Sequence, residues 1–151
     1  MLSEATNPSM GVPMTENHLN HPSRIWPADR LAEALRNELL EYGHLLGLLR
    51  IQQQLVLEEN LMELPDNMYA VNQQMRNISS FRKQREYWRE ETLCWLGADT
   101  NLPWGLMRGL LPGNYQMLLQ ALVDENNLSL ESIQVLLRQN QQLNLRTLIL
   151  L

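Results

Sequence analysis

Leucines recur every three or four residues through most of this chain, and this spacing is the strongest constraint on its fold. The first such series lies along one helix face and comprises Leu31, Leu35, Leu39, Tyr42, Leu46 and Leu49. Leucine supplies 32 of the 151 residues, whereas valine and isoleucine together supply 10 and phenylalanine one. Unbranched leucine keeps its rotamers in a helix, whereas β-branched and aromatic residues suit strands. The pattern therefore predicts an all-α protein.

The charge balance and the hydropathy pattern narrow the function classes. The net charge is −5 and the pI is about 5.2, which disfavours a nucleic-acid binder that works by neutralising phosphates. No apolar run reaches the roughly 20 residues of a membrane span. The first residues include Glu4 and no basic segment before an apolar stretch. We therefore expect no signal peptide, no integral membrane segment and a cytoplasmic location.

Residues 1–27 differ from the rest of the chain. Four of the seven prolines lie here among serine, threonine, asparagine and histidine residues, and no helical apolar period is present. A segment of this kind cannot bury enough apolar surface to offset the entropy of ordering it. Residues 1–27 are therefore predicted to be a flexible tail, and residues 28–151 to be one helical domain.

Breaks in the apolar period predict where the helices end. Pro65 removes an amide donor after the first leucine series, and Gly97 is suited to the left-handed conformation that ends a helix. Prolines and glycines recur between residues 98 and 113, which predicts a connector with one short helix. The predicted arrangement is an up-down-up antiparallel bundle of three long helices, with helices at about residues 28–62, 66–96, 103–110 and 114–150.

Three local features add detail to this pattern. Gly43 and Gly47 share one face of the first helix, and each lowers helix stability by about 1 kcal/mol relative to alanine. Either close approach of another helix compensates for this loss, or the loss is simply tolerated. Residues 125–129 are the weakest part of the last helix, so a kink is allowed for there. The run of arginines and glutamates at residues 82–91 mixes attractive and repulsive pairs, which predicts a solvated face.

Amides occupy several seam positions of the predicted helices. The last helix places Asn126, Asn140 and Asn144 on its seam, and the first helix places Gln53 and Asn60 there. A buried amide is costly unless it is paired, but it can fix the register of a helical interface. Either these amides lie beside the core and face water, or the seam is partly open and receives another helix.

The C-terminal residues are crowded with apolar side chains that point in all directions around a helix, so that one neighbouring helix cannot cover them all: Leu143, Leu145, Leu148, Ile149, Leu150 and Leu151. Either the bundle hides most of them, or they form an exposed apolar patch that marks a partner site. We favour the partner site, because helix-in-groove recognition uses apolar anchors at this spacing.

The residues that usually carry chemistry do not combine into a site. His18 and His21 lie in the predicted tail with no further ligand nearby in sequence. Cys94 is the single cysteine, and the absence of a neighbouring histidine favours a buried or half-buried small residue over a nucleophile. We therefore expect no catalytic residues, no bound metal, no cofactor and no enzymatic activity.

The chain resembles the FlgN-type flagellar export chaperones over about residues 28–151. The likeness lies in LLRIQQQ and EEN at residues 48–60, in the charged run at residues 82–97, and in LLRQNQQLNLRTLI at residues 136–149. This last segment is similar to the family's C-terminal signature, in which spaced asparagines precede a small apolar cluster. Leu145 stands where members of the family often have glycine.

The resemblance implies a non-catalytic chaperone of flagellar type III export. Such proteins hold hook–filament junction proteins as unfolded or partly unfolded monomers and deliver them to the export gate or the ATPase complex. The family's substrate contacts lie in the C-terminal helix, which corresponds here to Leu136, Leu137, Asn140, Leu143, Asn144, Leu148 and Ile149. The alternative is a structural or scaffolding coiled-coil protein that self-associates through the same seams, and a homodimer is left open in both cases.

Overall fold

The computed structural model describes the backbone of residues 24–150 and the side chains of residues 24–143. Most of this part of the chain is helical and no strand occurs in it, so residues 24–150 are all-α. The prediction for the tail falls mostly outside the described residues, as do His18 and His21. The helices are α1 (Trp26–Leu57), α2 (Leu64–Trp95), α3 (Trp104–Gly109) and α4 (Gly113–Leu150).

The first long helix, α1, is central. α2 packs along one side of α1 and α4 along another, whereas α2 and α4 have little backbone contact with each other. The buried face of α1 keeps the three-and-four spacing of the sequence and includes Leu31, Leu35, Tyr42, Leu45 and Leu49. Full burial of a leucine side chain stabilises the fold by about 1.5–3 kcal/mol, so this face accounts for the position of α1 between its neighbours.

The core has two parts along the length of α1. The first, where the short helix α3 closes the end of the bundle, contains Ile25, Ala28, Leu31, Ala32, Leu35, Leu93, Met107, Leu111, Tyr115 and Leu119. The second, which we call the middle cluster, contains Tyr42, Leu45, Leu49, Val71, Ile78 and Ile133. Both clusters join side chains from α1, α2 and α4, so the three long helices share buried contacts at two levels along α1.

Two asparagines fix the position of α4 along α1. The Nδ2 atoms of Asn126 and Asn140 donate to the carbonyl oxygens of Leu35 and Leu49, at 3.1 and 2.9 Å. Each pair is separated by 91 residues, so the numbers of the partners rise together along the two helices. The sequence predicted that these amides either face water or line a seam that is open to another protein. Neither is the case for Asn126 and Asn140, because both are buried and both donate hydrogen bonds to α1.

Two further amides tie α2 to the α1 backbone in the same way. Asn67 Nδ2 donates to the carbonyl oxygen of Leu48, and Gln74 Nε2 donates to that of Glu41, each at 3.0 Å. Here the partner's number in α1 falls as the number in α2 rises. Asn67 and Gln74, one heptad apart, therefore set the register of α2 on α1, just as the two asparagines of α4 set the register of α4.

The end of α2 follows a standard capping pattern. The Ala98 amide donates to the Leu93 carbonyl at 2.9 Å and the Gly97 amide donates to the Cys94 carbonyl at 3.0 Å. Gly97 has a φ of 71°, which confirms the left-handed conformation predicted for it. Cys94 itself is exposed, so the prediction of a buried or half-buried cysteine is wrong.

The end of α1 has the same pattern with a different residue. The Asn60 amide donates to the Leu55 carbonyl at 2.9 Å and the Glu59 amide to the Val56 carbonyl at 3.1 Å. Glu59 has a φ of 55°, which costs a residue with a Cβ about 1 kcal/mol more than glycine. α1 therefore ends at Leu57 instead of continuing to residue 62.

The other boundaries differ from the predictions in small ways. Ile25 is buried and α1 begins at Trp26, so the last residues of the predicted tail belong to the fold. α2 begins at Leu64 with Pro65 inside its first turn, where a missing amide donor costs nothing. α4 continues through residues 125–129 without a break.

The two glycines of α1 lie on its solvent side. A Cβ atom added to Gly43 or Gly47 would meet no heavy atom within 4 Å. Close approach of another helix of this chain is therefore not the reason for these glycines, and the second predicted alternative, a tolerated loss, agrees with the structure. Among the described helices, none is both long enough and apolar enough to cross a membrane.

Candidate functional site

The predicted partner-binding residues lie in the second half of α4. Leu136 and Leu137 are half-buried and pack against the middle cluster. Leu143 is half-buried one turn beyond Asn140. Three of the seven predicted residues have side chains outside the described part of the chain: Asn144, Leu148 and Ile149.

Asn140 lies between α4 and α1 and is 2% exposed. Its Nδ2 donates to the Leu49 carbonyl oxygen at 2.9 Å and to Gln52 Oε1 at 3.0 Å, and its Oδ1 is buried without a hydrogen-bond partner. A foreign chain could contact this amide only if α4 separated from α1. In this structure Asn140 therefore fixes helix register, and it does not belong to the exposed surface predicted from sequence.

A groove of about 410 Å³ opens where α4 passes the last turn of α1, and we call it the C-terminal groove. Two leucines and three glutamines line it, and none of these side chains is charged: Gln53, Leu57, Gln139, Gln142 and Leu143. Gln53 Nε2 donates to Gln139 Oε1 at 3.1 Å and links the two helices at the surface. An uncharged apolar surface with amide groups around it suits an apolar peptide segment whose backbone needs hydrogen-bond partners.

Large apolar side chains are exposed in the groove, in the turn that follows α1, and at the start of α2. Leu57 is 60% exposed, and Leu61 and Met62 in the turn between α1 and α2 are 54% and 90% exposed. Met68, in the first turns of α2, is also exposed. Exposed apolar side chains concentrated in one part of a chain are a common mark of a partner site. Leu57, Gln139 and Gln142 were not among the predicted site residues, because only the packing of α4 on α1 brings them together.

Two pockets lie one after the other between α2 and α4 over α1, and together we call them the interhelical groove. It exists because both helices pack on α1 and hardly on each other. Its part above the middle cluster has a volume of about 300 Å³, and its part beside the connector, residues 96–103, has a volume of about 520 Å³. Leu137 is the predicted partner-binding residue that lines it.

A buried charged network lies at the centre of the interhelical groove. The carboxylate of Glu38, 1% exposed, is 3.1 Å from Arg85 Nε and accepts a hydrogen bond from the Tyr42 hydroxyl at 2.7 Å. The same hydroxyl accepts a hydrogen bond from Arg82 Nε at 2.9 Å. Burial raises the pKa of Tyr42 above its usual value, and the hydrogen bond to Glu38 raises it further. Arg85 therefore belongs to a contact between helices, although the sequence predicted a solvated face there.

Within the described residues, no group of three or more histidine, cysteine, aspartate or glutamate side chains is arranged to hold a metal ion. Comparison of the chain with protein families, curated proteins and solved structures finds no match. The function is therefore inferred from the residues and the geometry of the two grooves.

Proposed function

We propose that the protein is a cytoplasmic, non-catalytic chaperone of flagellar type III export, of the FlgN type, that binds hook–filament junction proteins through the C-terminal part of α4. The observation that carries the proposal is the C-terminal groove, an uncharged surface of leucines and glutamines in which Leu57 is 60% exposed. It adjoins the segment of residues 136–149, in which the likeness to the family's C-terminal signature lies.

The proposed architecture is an up-down-up bundle of the three long helices. It is supported by the order of the amide contacts, in which partner numbers fall along α2 and rise along α4 relative to α1. In this arrangement the last turns of α4 lie at the same end of the bundle as the turn between α1 and α2. The apolar side chains of that turn, Leu61 and Met62, then extend the binding surface.

The size of the C-terminal groove suits a chaperone that must release its substrate. A junction protein's terminal segment has an apolar face that would assemble too early, and burying two leucine-sized side chains in the groove contributes about 3–6 kcal/mol. The cost of ordering the bound segment reduces this gain. The resulting moderate affinity keeps the substrate monomeric and still lets the export gate or the ATPase complex remove it.

The test is co-expression of the full chain with a hook–filament junction protein, followed by purification of the complex. Deletion of residues 144–151 should abolish the complex, and Leu57→Asp should weaken it by about tenfold, since it places a charge in an apolar contact. The deletion keeps Asn140 bonded to Leu49, so the melting temperature of the chaperone should change little.

The matched control for this test is Leu128→Asp. Leu128 is an exposed leucine of α4 in its middle turns, outside the C-terminal groove. The control should bind the junction protein like the unchanged chain. Unchanged binding after the deletion, or an equal loss with the control, would remove the chaperone assignment. Leu148→Asp should also lower binding more than it lowers the melting temperature.

A second candidate function is a structural protein that self-associates. The observation that favours it is the solvent side of α1, where Leu40 and Ile51 are exposed on either side of Gly43 and Gly47. Small residues allow two helices to approach closely. Analytical sedimentation separates the two candidate functions. A tight dimer that the variant Leu40→Asp dissociates would favour the structural protein. A monomer that binds junction proteins would favour the chaperone.

A further inference from the structure

We propose that the second half of α4, from Gln134 onward, separates locally from α1 while the first half stays packed, and that the substrate binds between the two separated helices. The separation is a property of the fold, whereas the binding step rests on the proposed chaperone function. Three observations carry the inference: the burial pattern along α4, the contacts that hold its second half, and the surface that separation uncovers.

The two halves of α4 are buried to different degrees. The fully buried apolar side chains described in α4 all lie in its first half, residues 113–133: Tyr115, Leu119 and Ile133. From Gln134 to Leu143 the one buried residue is Asn140, and the leucines of this stretch are half-buried. Segments with few buried apolar side chains open at a lower free energy than the rest of a fold. The second half is therefore the part of α4 that separates more readily.

Amide side chains hold the second half of α4 to α1. Asn140 Nδ2 donates to the Leu49 carbonyl oxygen and to Gln52 Oε1, and Gln53 Nε2 donates to Gln139 Oε1 at the surface. Asn140 Oδ1 is buried without a hydrogen-bond partner and regains water when the helices separate. α2 has little backbone contact with α4, so separation from α1 needs no large change in α2.

The first half of α4 has an equivalent amide in a more apolar position. Asn126 Nδ2 donates to the Leu35 carbonyl oxygen, and its Oδ1 also lacks a partner. The residues one heptad before and after Asn126 are the buried Leu119 and Ile133, which hold this part of the helix on α1. Asn140 has Ile133 one heptad before it, and no described side chain after it is both apolar and fully buried. Separation therefore begins beyond Ile133.

Separation uncovers a surface that suits the proposed substrate. Leu49 is fully buried at the level of Asn140, and the half-buried Leu136 and Leu137 pack against the same middle cluster. The Leu49 carbonyl oxygen and Gln52 lose a donor when Asn140 moves away. A segment that brings apolar side chains and hydrogen-bond donors replaces both kinds of contact. The occupant is the apolar face of a junction protein's terminal segment, held between α1 and α4.

The test of separation compares how fast two buried positions of the full chain react with a thiol reagent. Leu49→Cys and Leu35→Cys are a matched pair, because each leucine is buried on α1 and each carbonyl accepts a hydrogen bond from an asparagine of α4. Both variants also carry Cys94→Ser, since Cys94 is exposed. Leu49→Cys should react about 100-fold faster, because only Leu49 lies under the second half of α4. Equal rates, once each variant's global stability is measured by urea denaturation, would overturn the proposal.

Asparagine variants locate the part of α4 that separates. Asn140→Ala removes the two hydrogen bonds from Asn140 to α1 and should speed the reaction of Leu49→Cys by about tenfold. Asn126→Ala is the matched control, since it removes the equivalent bond to Leu35 in the first half, and it should leave that rate unchanged. Equal acceleration by both variants would show that the whole helix opens as one unit, which contradicts the proposal.

The binding step is tested with a purified hook–filament junction protein. Bound junction protein should protect Leu49→Cys from the reagent, and Asn140→Ala should tighten binding by about tenfold because it populates the separated state. A complex in which Leu49→Cys reacts as fast as in the free chain, or weaker binding by Asn140→Ala, would refute binding between the helices and leave the chaperone function standing. Absence of any complex would remove the chaperone function and the binding step together, while the reaction rates of the free chain decide the separation on their own.

Discussion

Replacement of Arg85 by methionine should lower the free energy of unfolding by about 3 kcal/mol, because it leaves the Glu38 carboxylate buried without its cation. Glu38 is 1% exposed and lies 3.1 Å from Arg85 Nε. Removing one member of a buried ion pair costs about 3–5 kcal/mol. The Arg85 side chain is 31% exposed, so water screens part of the interaction and the lower end of that range applies. The hydrogen bond from Tyr42 remains and is a second reason to expect the lower end of the range.

Urea denaturation followed by circular dichroism measures this effect in a double-mutant cycle. The variants are Arg85→Met, Glu38→Met and the combination of both. The double variant should regain part of the lost stability, since an apolar pair of similar volume replaces both charges, while the Tyr42 hydroxyl loses its acceptor. Arg76→Met, at an exposed position of the same helix, is the control and should change stability by less than about 0.5 kcal/mol. The reasoning fails if Arg85→Met costs no more than the control, or if the losses in the double variant simply add.

Three further predictions concern the backbone and the pH dependence. Gly43→Ala and Gly47→Ala should each stabilise α1 by about 1 kcal/mol in urea denaturation, since the added Cβ meets nothing within 4 Å, and a loss of stability would reveal a contact at that face. Glu59→Gly should raise the unfolding free energy by about 1 kcal/mol and Gly97→Ala should lower it by a similar amount, because both positions have positive φ; shifts of the same sign would contradict this. The pKa of Tyr42 is raised above 10.0 in the folded state, so the folded state holds the hydroxyl proton more tightly than the unfolded chain. This difference in pKa stabilises the fold fully below pH 10, and the stabilisation is lost as pH rises through the folded-state pKa. Tyr42→Phe should therefore flatten the fall of the urea midpoint above about pH 10, and an unchanged slope would exclude Tyr42 as its cause.

The helical class could be predicted because it depends on local spacing alone. Leucines at steps of three and four need a partner surface wherever the helix lies, so the pattern specifies a helix before its neighbours are known. The end of α1 could not be found in this way. The residue in the left-handed position is Glu59, and the sequence signal for such an end is glycine. Tertiary packing of α1 and α2 outweighs the local strain.

The contacts that form the two grooves could not be predicted, because they join residues far apart in the chain. Arg85 has glutamates and arginines as sequence neighbours, and only the packing of α2 on α1 brings it to Glu38. The C-terminal groove depends in the same way on the register between α1 and α4, which the asparagines determine. The seam positions of Asn126 and Asn140 were visible in the sequence, but their acceptors were not.

The four amides that set helix register also explain why a groove can persist between α2 and α4: Asn67, Gln74, Asn126 and Asn140. Each donates to a backbone carbonyl of α1, so each outer helix is held by the central one and needs no contact with the other outer helix. An unpaired buried amide costs about 1–3 kcal/mol, so a slip of either helix along α1 is penalised at two places at once. The register of both outer helices is thus set on α1, and the side chains of α2 and α4 along the interhelical groove do not have to pair with each other to maintain it.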